Sequence, residues 1–154
     1  FQWGSFGFFS IIALSEKPSM SFFTDKQNAA PCPCGSGLTL GQCCGKFIDL
    51  DATPHKAVEV MRARYTAFAL GHEDWLRATW AANKRPRKKI IDPQYKWLGL
   101  KIISTHEIDD KHATVEFIAR ARVGGSGAVR HHEVSRFEKR QDLWYYVDGD
   151  VLDK

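Results

Sequence analysis

The stretch Ala113-Thr-Val-Glu-Phe-Ile-Ala-Arg-Ala-Arg-Val123 alternates with a period of two. Val115, Phe117, Ala119 and Ala121 fall on one face and Glu116, Arg120 and Arg122 on the other, the pattern of a strand with one buried and one solvated side. Gly124, Gly125 and Gly127 end it in a turn. A further strand follows over Val129 to Lys139, and another over Leu143 to Val147 after the Arg140-Gln141-Asp142 turn. Upstream, Leu98, Leu100 and Ile102 alternate with Trp97, Gly99, Lys101 and Ile103 in a strand that stops near Asp109-Asp110-Lys111. Connections this short join antiparallel neighbours, because a parallel pair needs a crossover of a dozen residues or more.

Before Pro93 the period is helical. Val58, Met61, Tyr65 and Phe68 recur at three- and four-residue spacing, one apolar stripe of an amphipathic helix. Thr53 as N-cap and Pro54 at the first helical position would start it, close to Asp49 and Asp51, and Gly71 would stop it. A second helix is expected from about Glu73 to Ala82, with Leu76 and Trp80 one turn apart. Helices followed by a meander give an α+β domain over residues 50–154.

The 154 residues are 44% apolar and 26% charged, the composition of an ordinary globular protein. No apolar run reaches the ~18 residues of a membrane helix. Lys and Arg number 22 against 18 Asp and Glu, and a net charge of +4 is too small to imply a nucleic-acid binder by itself. Phe1 to Ser19 is mostly apolar and aromatic but lacks a basic start and a small-x-small cleavage site. Met20 is then a candidate native start, and residues 1–30 are expected to be a leader or upstream segment without fixed structure, polar and irregular from Met20 to Ala30.

All four cysteines lie between Cys32 and Cys44, in the pattern Cys32-Pro-Cys34-Gly-Ser-Gly37 and then Cys43-Cys44-Gly45. Four thiolates complete a tetrahedral shell for Zn²⁺ and leave no position open for substrate, so the expected role is structural. In extended backbone Cys32 and Cys34 project to one side; adjacent Cys43 and Cys44 need a tight turn or a first helical turn to do the same. A segment of this size has no core of its own, whereas a structural zinc contributes about 10 to 16 kcal/mol of apparent binding energy in comparable peptides. Disulfides are the alternative, but bridges inside C-x-C or C-C close small strained rings. Zinc is the reading the spacing favours, with residues 31–46 as its module.

The cysteine pattern resembles the SEC-C motif. Met61-Arg-Ala-Arg-Tyr-Thr-Ala-Phe68, Thr79-Trp80, Trp97-Leu-Gly-Leu100, Phe117-Ile-Ala-Arg120, His132-Glu-Val-Ser-Arg-Phe137 and Trp144-Tyr-Tyr-Val-Asp-Gly149 together resemble the YchJ-like family, also called UPF0225. The resemblance covers roughly residues 30 to 150. It implies a bacterial protein with an NTF2-like body, a cone of curved antiparallel sheet closed by helices, and no settled activity. Ala81 and Ala82 follow Trp80 where relatives often have His-Pro.

In such a cone the inward polar side chains matter. Val129, His131, Glu133, Ser135 and Phe137 share one face by alternation, so Glu133 should be partly buried, with Arg64 as its expected partner; the pair either neutralises itself or binds a polar ligand. Arg64, Tyr65, Trp80, His131, Glu133 and Tyr146 are the candidate ligand-binding set. His132 faces the other way, toward solvent, and no catalytic set stands out beside either histidine. Five cations lie between Lys84 and Lys89, a run suited to phosphates, RNA or acidic surfaces. The expected protein is a cytoplasmic zinc-binding accessory protein, with the cysteine module docking to a protein or ribosomal partner and the larger domain offering a pocket or contact surface. Ligand binding or catalysis in the pocket is one alternative, and RNA binding through the basic loop is another. A homodimer through the outer sheet face is implied by the resemblance alone.

Overall fold

The computed structural model describes residues 21–152, so the reading of Phe1 to Met20 lies outside the described residues. Chain order is α1 (Asp25–Ala29), a 3₁₀ turn (Leu40–Gln42), α2 (Cys44–Ile48), α3 (Ala57–Leu70), α4 (Glu73–Ala78), then β1 (Tyr95–Asp109), β2 (His112–Val123), β3 (Ala128–Arg140) and β4 (Leu143–Val151). The strands form one antiparallel meander in the order β1-β2-β3-β4. Register breaks at Trp97/Gly99, Ile102/Ser104 and Glu107/Asp109 in β1, and at Arg136/Phe137 between β3 and β4, curve the sheet around the helices. No helix among the described residues is long and apolar enough to cross a membrane.

The alternation in β2 is realised: Val115, Phe117, Ala119 and Ala121 are buried against the helices, joined by Phe137 of β3 and Trp144 of β4. α3 departs from a simple amphipathic stripe. Met61 and Tyr65 are buried and Val58 and Phe68 half-buried, but Ala63, Arg64, Thr66 and Ala67 are buried too. The reason is that α3 is covered twice, by the sheet on one side and by α2 with the cysteine segment on the other.

Four expectations are corrected. α3 begins at Ala57, not Pro54, because the Glu59 carboxylate turns back to accept from the His55 and Lys56 amides (2.8 and 3.1 Å), leaving residues 53–55 non-helical. Trp144 Nε1 fixes that entry by donating to the His55 carbonyl. The second helix stops at Ala78, four residues early, because the chain leaves it to pair with β4: Tyr146 N donates to Thr79 O and Ala81 N to Tyr146 O, both at 2.8 Å. β4 runs on to Val151, since its pairing with β3 extends to Glu133↔Val151. Residues 21–30 are not irregular throughout: Thr24 and Gln27 form a reciprocal capping box that starts α1, and Ser21 and the Phe22 amide bind the Asp49 carboxylate, anchoring the segment beyond α2. Gly71, by contrast, ends α3 as expected, at φ 84° with its amide on Ala67 O.

Candidate metal centre and ligand pocket

The cysteine segment folds into a small hook. Pro31 pairs with Thr39, Cys32 N donates to Leu38 O, and Gly35 and Gly37 take positive φ of 79° and 91° at the tip, which a side chain would resist. Cys32 and Cys34 thereby face the same way. Cys43 sits between the 3₁₀ turn and α2 with φ −123° and ψ −110°, and Cys44 opens the helix, which is the tight turn that adjacent ligands require. Gly45 lets the two pieces cross: a Cβ there would lie 2.7 Å from Leu40 O.

The result brings all four sulfurs within 4.8 Å of one another. Cys34 and Cys43 are 3.6 Å apart and Cys43 and Cys44 3.9 Å. A tetrahedron with Zn–S bonds of ~2.3 Å has edges of about 3.8 Å, so the cluster fits a four-thiolate ion with small adjustments. All four are free thiols, and the disulfide alternative is not adopted. The surroundings suit anionic sulfur. Arg62 of α3 donates to Cys34 O at 3.1 Å and lies 3.6 Å from Cys34 Sγ, Thr66 Oγ1 is 3.6 Å from Cys32 Sγ, and Ser36 Oγ is 3.2 Å from Cys43 Sγ. Hydrogen bonds from the Cys32 and Cys44 thiols hold Cys34 far below the usual thiol range. The reciprocal bonds push Cys44 up, and burial raises Cys43. A cation would release the protons those groups retain.

On the other side of α3, between helix and sheet, is a cavity of about 650 Å³. All six candidate residues, Arg64, Tyr65, Trp80, His131, Glu133 and Tyr146, line it. Glu133 is 8% exposed, and its carboxylate accepts from His131 Nε2 (2.7 Å), Ser135 Oγ (2.7 Å) and Tyr146 Oη (2.9 Å). Burial works against the charge, but these three donors outweigh it and hold the carboxyl below its ordinary range. Gly149 makes the room: a Cβ there would stand 2.1 Å from Glu133 Oε2. Burial pushes the Tyr146 phenol well up, and the adjacent carboxylate adds to it.

The expected Arg64–Glu133 bond is corrected. Arg64, 3% exposed, sends Nη1 to Leu76 O and Thr79 Oγ1, both at 2.8 Å, capping the end of α4. Its guanidinium lies over Trp80 (4.9 Å) and Tyr146 (4.6 Å). Tyr146 thus stands between the two charges, and burial lowers the guanidinium pKa to about 10. The Trp80 indole N–H is buried and meets no acceptor, the one such side-chain atom among the described residues. The rest of the wall is mostly apolar and aromatic, including Trp97 stacked on Tyr95 at 5.6 Å, with Asp92 and Arg130 as its other charged residues.

One of the two histidines departs from expectation. His132 is on the outer face but 18% exposed in its side chain, bonded to Glu116 at 2.7 Å, whereas pocket-lining His131 is 40% exposed. Sequence reasoning also missed that His131 and Glu133 bond each other, although their i, i+2 spacing on one strand face was the available signal. The basic run is divided: Lys84 lies 3.6 Å from Asp148, Arg85 donates to Trp80 O, and Arg77 holds the Pro86 and Lys88 carbonyls, leaving Arg87, Lys88 and Lys89 exposed.

Residues 56–149 match the family described as "YchJ, middle NTF2-like domain", and residues 30–46 match the SEC-C motif. A UPF0225 protein of Polaromonas sp. is 48% identical over 130 residues, 79% of this chain and 94% of that protein. Another from Cupriavidus pinatubonensis is 44% identical over 128 residues, 79% of this chain and 89% of its own. Among solved structures, a SEC-C motif containing protein from Rhodopseudomonas palustris superposes with a TM-score of 0.70 at 33% identity, covering 79% of this chain and 98% of that one. A Psychrobacter arcticus protein with the same motif shares the fold at TM-score 0.68 and 24% identity, covering 84% of this chain and 86% of its own. With its cysteine hook and its sheet-and-helix body both matched, the chain belongs to the YchJ-like, UPF0225 family.

Proposed function

We propose that this protein binds a small, flat organic ligand in the cavity between α3 and the sheet, and that zinc on Cys32, Cys34, Cys43 and Cys44 holds the hook against α3. One observation carries the ligand reading: the cavity, of about 650 Å³, pairs aromatic walls with a polar end in which Glu133 is bonded three times. Ligand sites are commonly of this size and make-up, mostly apolar with a few fixed polar groups. Filling such a cavity with side chains would be the expected course if the domain were only structural.

The test is a nuclear magnetic resonance screen of zinc-loaded protein with aromatic and heteroaromatic fragments. Saturable shifts at the Trp80 indole and at Tyr146, with those at Tyr146 lost in Trp80→Ala, support the reading. Shifts confined to the outer surface count against it. A second use of the hook is docking to a protein partner through its tip, where Leu38 is 50% exposed next to Gly37. Retention of every partner by Leu38→Asp in a pull-down from reducing lysate would refute docking.

A further inference from the structure

We infer that His131 and Glu133 form a general-base dyad, making the cavity a site for proton transfer from carbon in a flat conjugated carbonyl compound or heteroaromatic. This rests on the pocket reading above and adds a reaction to it. The Glu133 carboxylate accepts from Ser135, Tyr146 and His131, so it is committed as an anion and is no base itself. An ionised carboxylate has no proton to give, so the 2.7 Å contact assigns N–H to His131 Nε2 and leaves the imidazole lone pair on Nδ1. The carboxylate fixes the tautomer and would steady the imidazolium formed when Nδ1 takes a proton. His131 is the catalytic residue in this scheme, and Glu133 the positioning residue.

The step balances without a co-reactant. The substrate C–H bond breaks, its proton passes to His131 Nδ1, and the electron pair moves into the conjugated system to give an enolate. Return of the proton to another carbon of the same framework gives an isomer, with nothing oxidised or reduced. The charged and titratable groups that share the cavity with His131 are Arg64 and Tyr65 of α3, Asp92 before β1, Tyr95 of β1, Arg130 and Glu133 of β3, and Tyr146 of β4; the Phe117 ring of β2 lies 6.0 Å from the imidazole.

The test uses 5-nitrobenzisoxazole with the zinc-loaded chain. Loss of its ring proton to a base breaks the N–O bond and releases a coloured phenolate, and binding is followed separately through tryptophan fluorescence. The expected result is a saturable rate, falling on the acid side as an imidazole protonates, and reduced to the buffer rate in His131→Gln, a drop of roughly a hundredfold or more. Glu133→Gln should lower the rate and loosen the tautomer preference of the imidazole, because the anion that holds Nε2–H is gone. Nitrogen-15 spectra should show His131 as the Nε2–H tautomer. A bound probe that reacts no faster than in buffer, a rate unchanged in His131→Gln, or the Nδ1–H tautomer would overturn the dyad and leave the pocket standing. Absence of probe binding would overturn both.

Discussion

Gly149→Ala is the sharpest single probe of the polar end of the cavity. The three nearest atoms to the added methyl all belong to Glu133, at 2.1 Å from Oε2, 2.7 Å from Cδ and 2.9 Å from Cγ. Ordinary contact begins near 3.4 Å, so the carboxylate has to move by about an ångström. It has little freedom to do so, because Oε2 is held by Ser135 at 2.7 Å and Tyr146 at 2.9 Å. Hydrogen bonds to a charged group contribute about 1.5 to 3 kcal/mol each, so displacing both predicts a loss of about 3 to 6 kcal/mol. For a chain of this length that corresponds to a fall in Tm of about 10 °C or more. Urea unfolding of Gly149→Ala, Glu133→Ala and the double variant measures the coupling directly. In the Glu133→Ala background the glycine change should be almost free, since the clashing atoms are gone, giving a coupling of at least ~2 kcal/mol. A Gly149→Ala cost below ~0.5 kcal/mol, or the same cost in both backgrounds, would refute the reasoning.

Three further outcomes are expected. Elemental analysis of reduced protein should give one zinc per chain, lost in Cys44→Ser, and chelation should raise hydrogen exchange first over residues 31–48; a metal-free, equally stable wild type would contradict this. Glu133 has a folded pKa below its unfolded value, so its contribution is present above the unfolded pKa and disappears as pH falls through the folded one. The urea midpoint should therefore drop in the acid range below about pH 4.5, with a smaller slope in Glu133→Gln. Arg64→Met should cost about 3 kcal/mol in urea unfolding, because the Leu76 carbonyl and Thr79 hydroxyl lose their donor and Glu133 its nearby cation.

The strands were legible because Val115, Phe117, Ala119 and Ala121 need one buried face, and nothing in β2 competes with that pattern. The cysteine site was legible because four soft ligands in one short segment have few other uses. Helix ends were harder. Thr53-Pro54 has every local mark of a start, yet Glu59 reaches back and sets the boundary at Lys56, and α4 ends where Tyr146, distant in sequence, claims the backbone of Thr79 and Ala81. Arg64 lies in the pocket as a partner of an inward Glu133 would, but its hydrogen bonds depend on where α4 stops. Alternation brought His131 and Glu133 to one face, while the bond between them depends on rotamers set by Ser135, Tyr146 and the gap at Gly149.

α3 is a party wall. Arg62 and Thr66 face the sulfurs, while Met61, Arg64, Tyr65 and Phe68 face the cavity, so neighbouring positions answer to different tenants. Grafted onto an unrelated body without the 62 and 66 side chains, the hook would lose the outer support of its ligands. A substitution on this helix that suits one side has to be tolerated one residue away by the other.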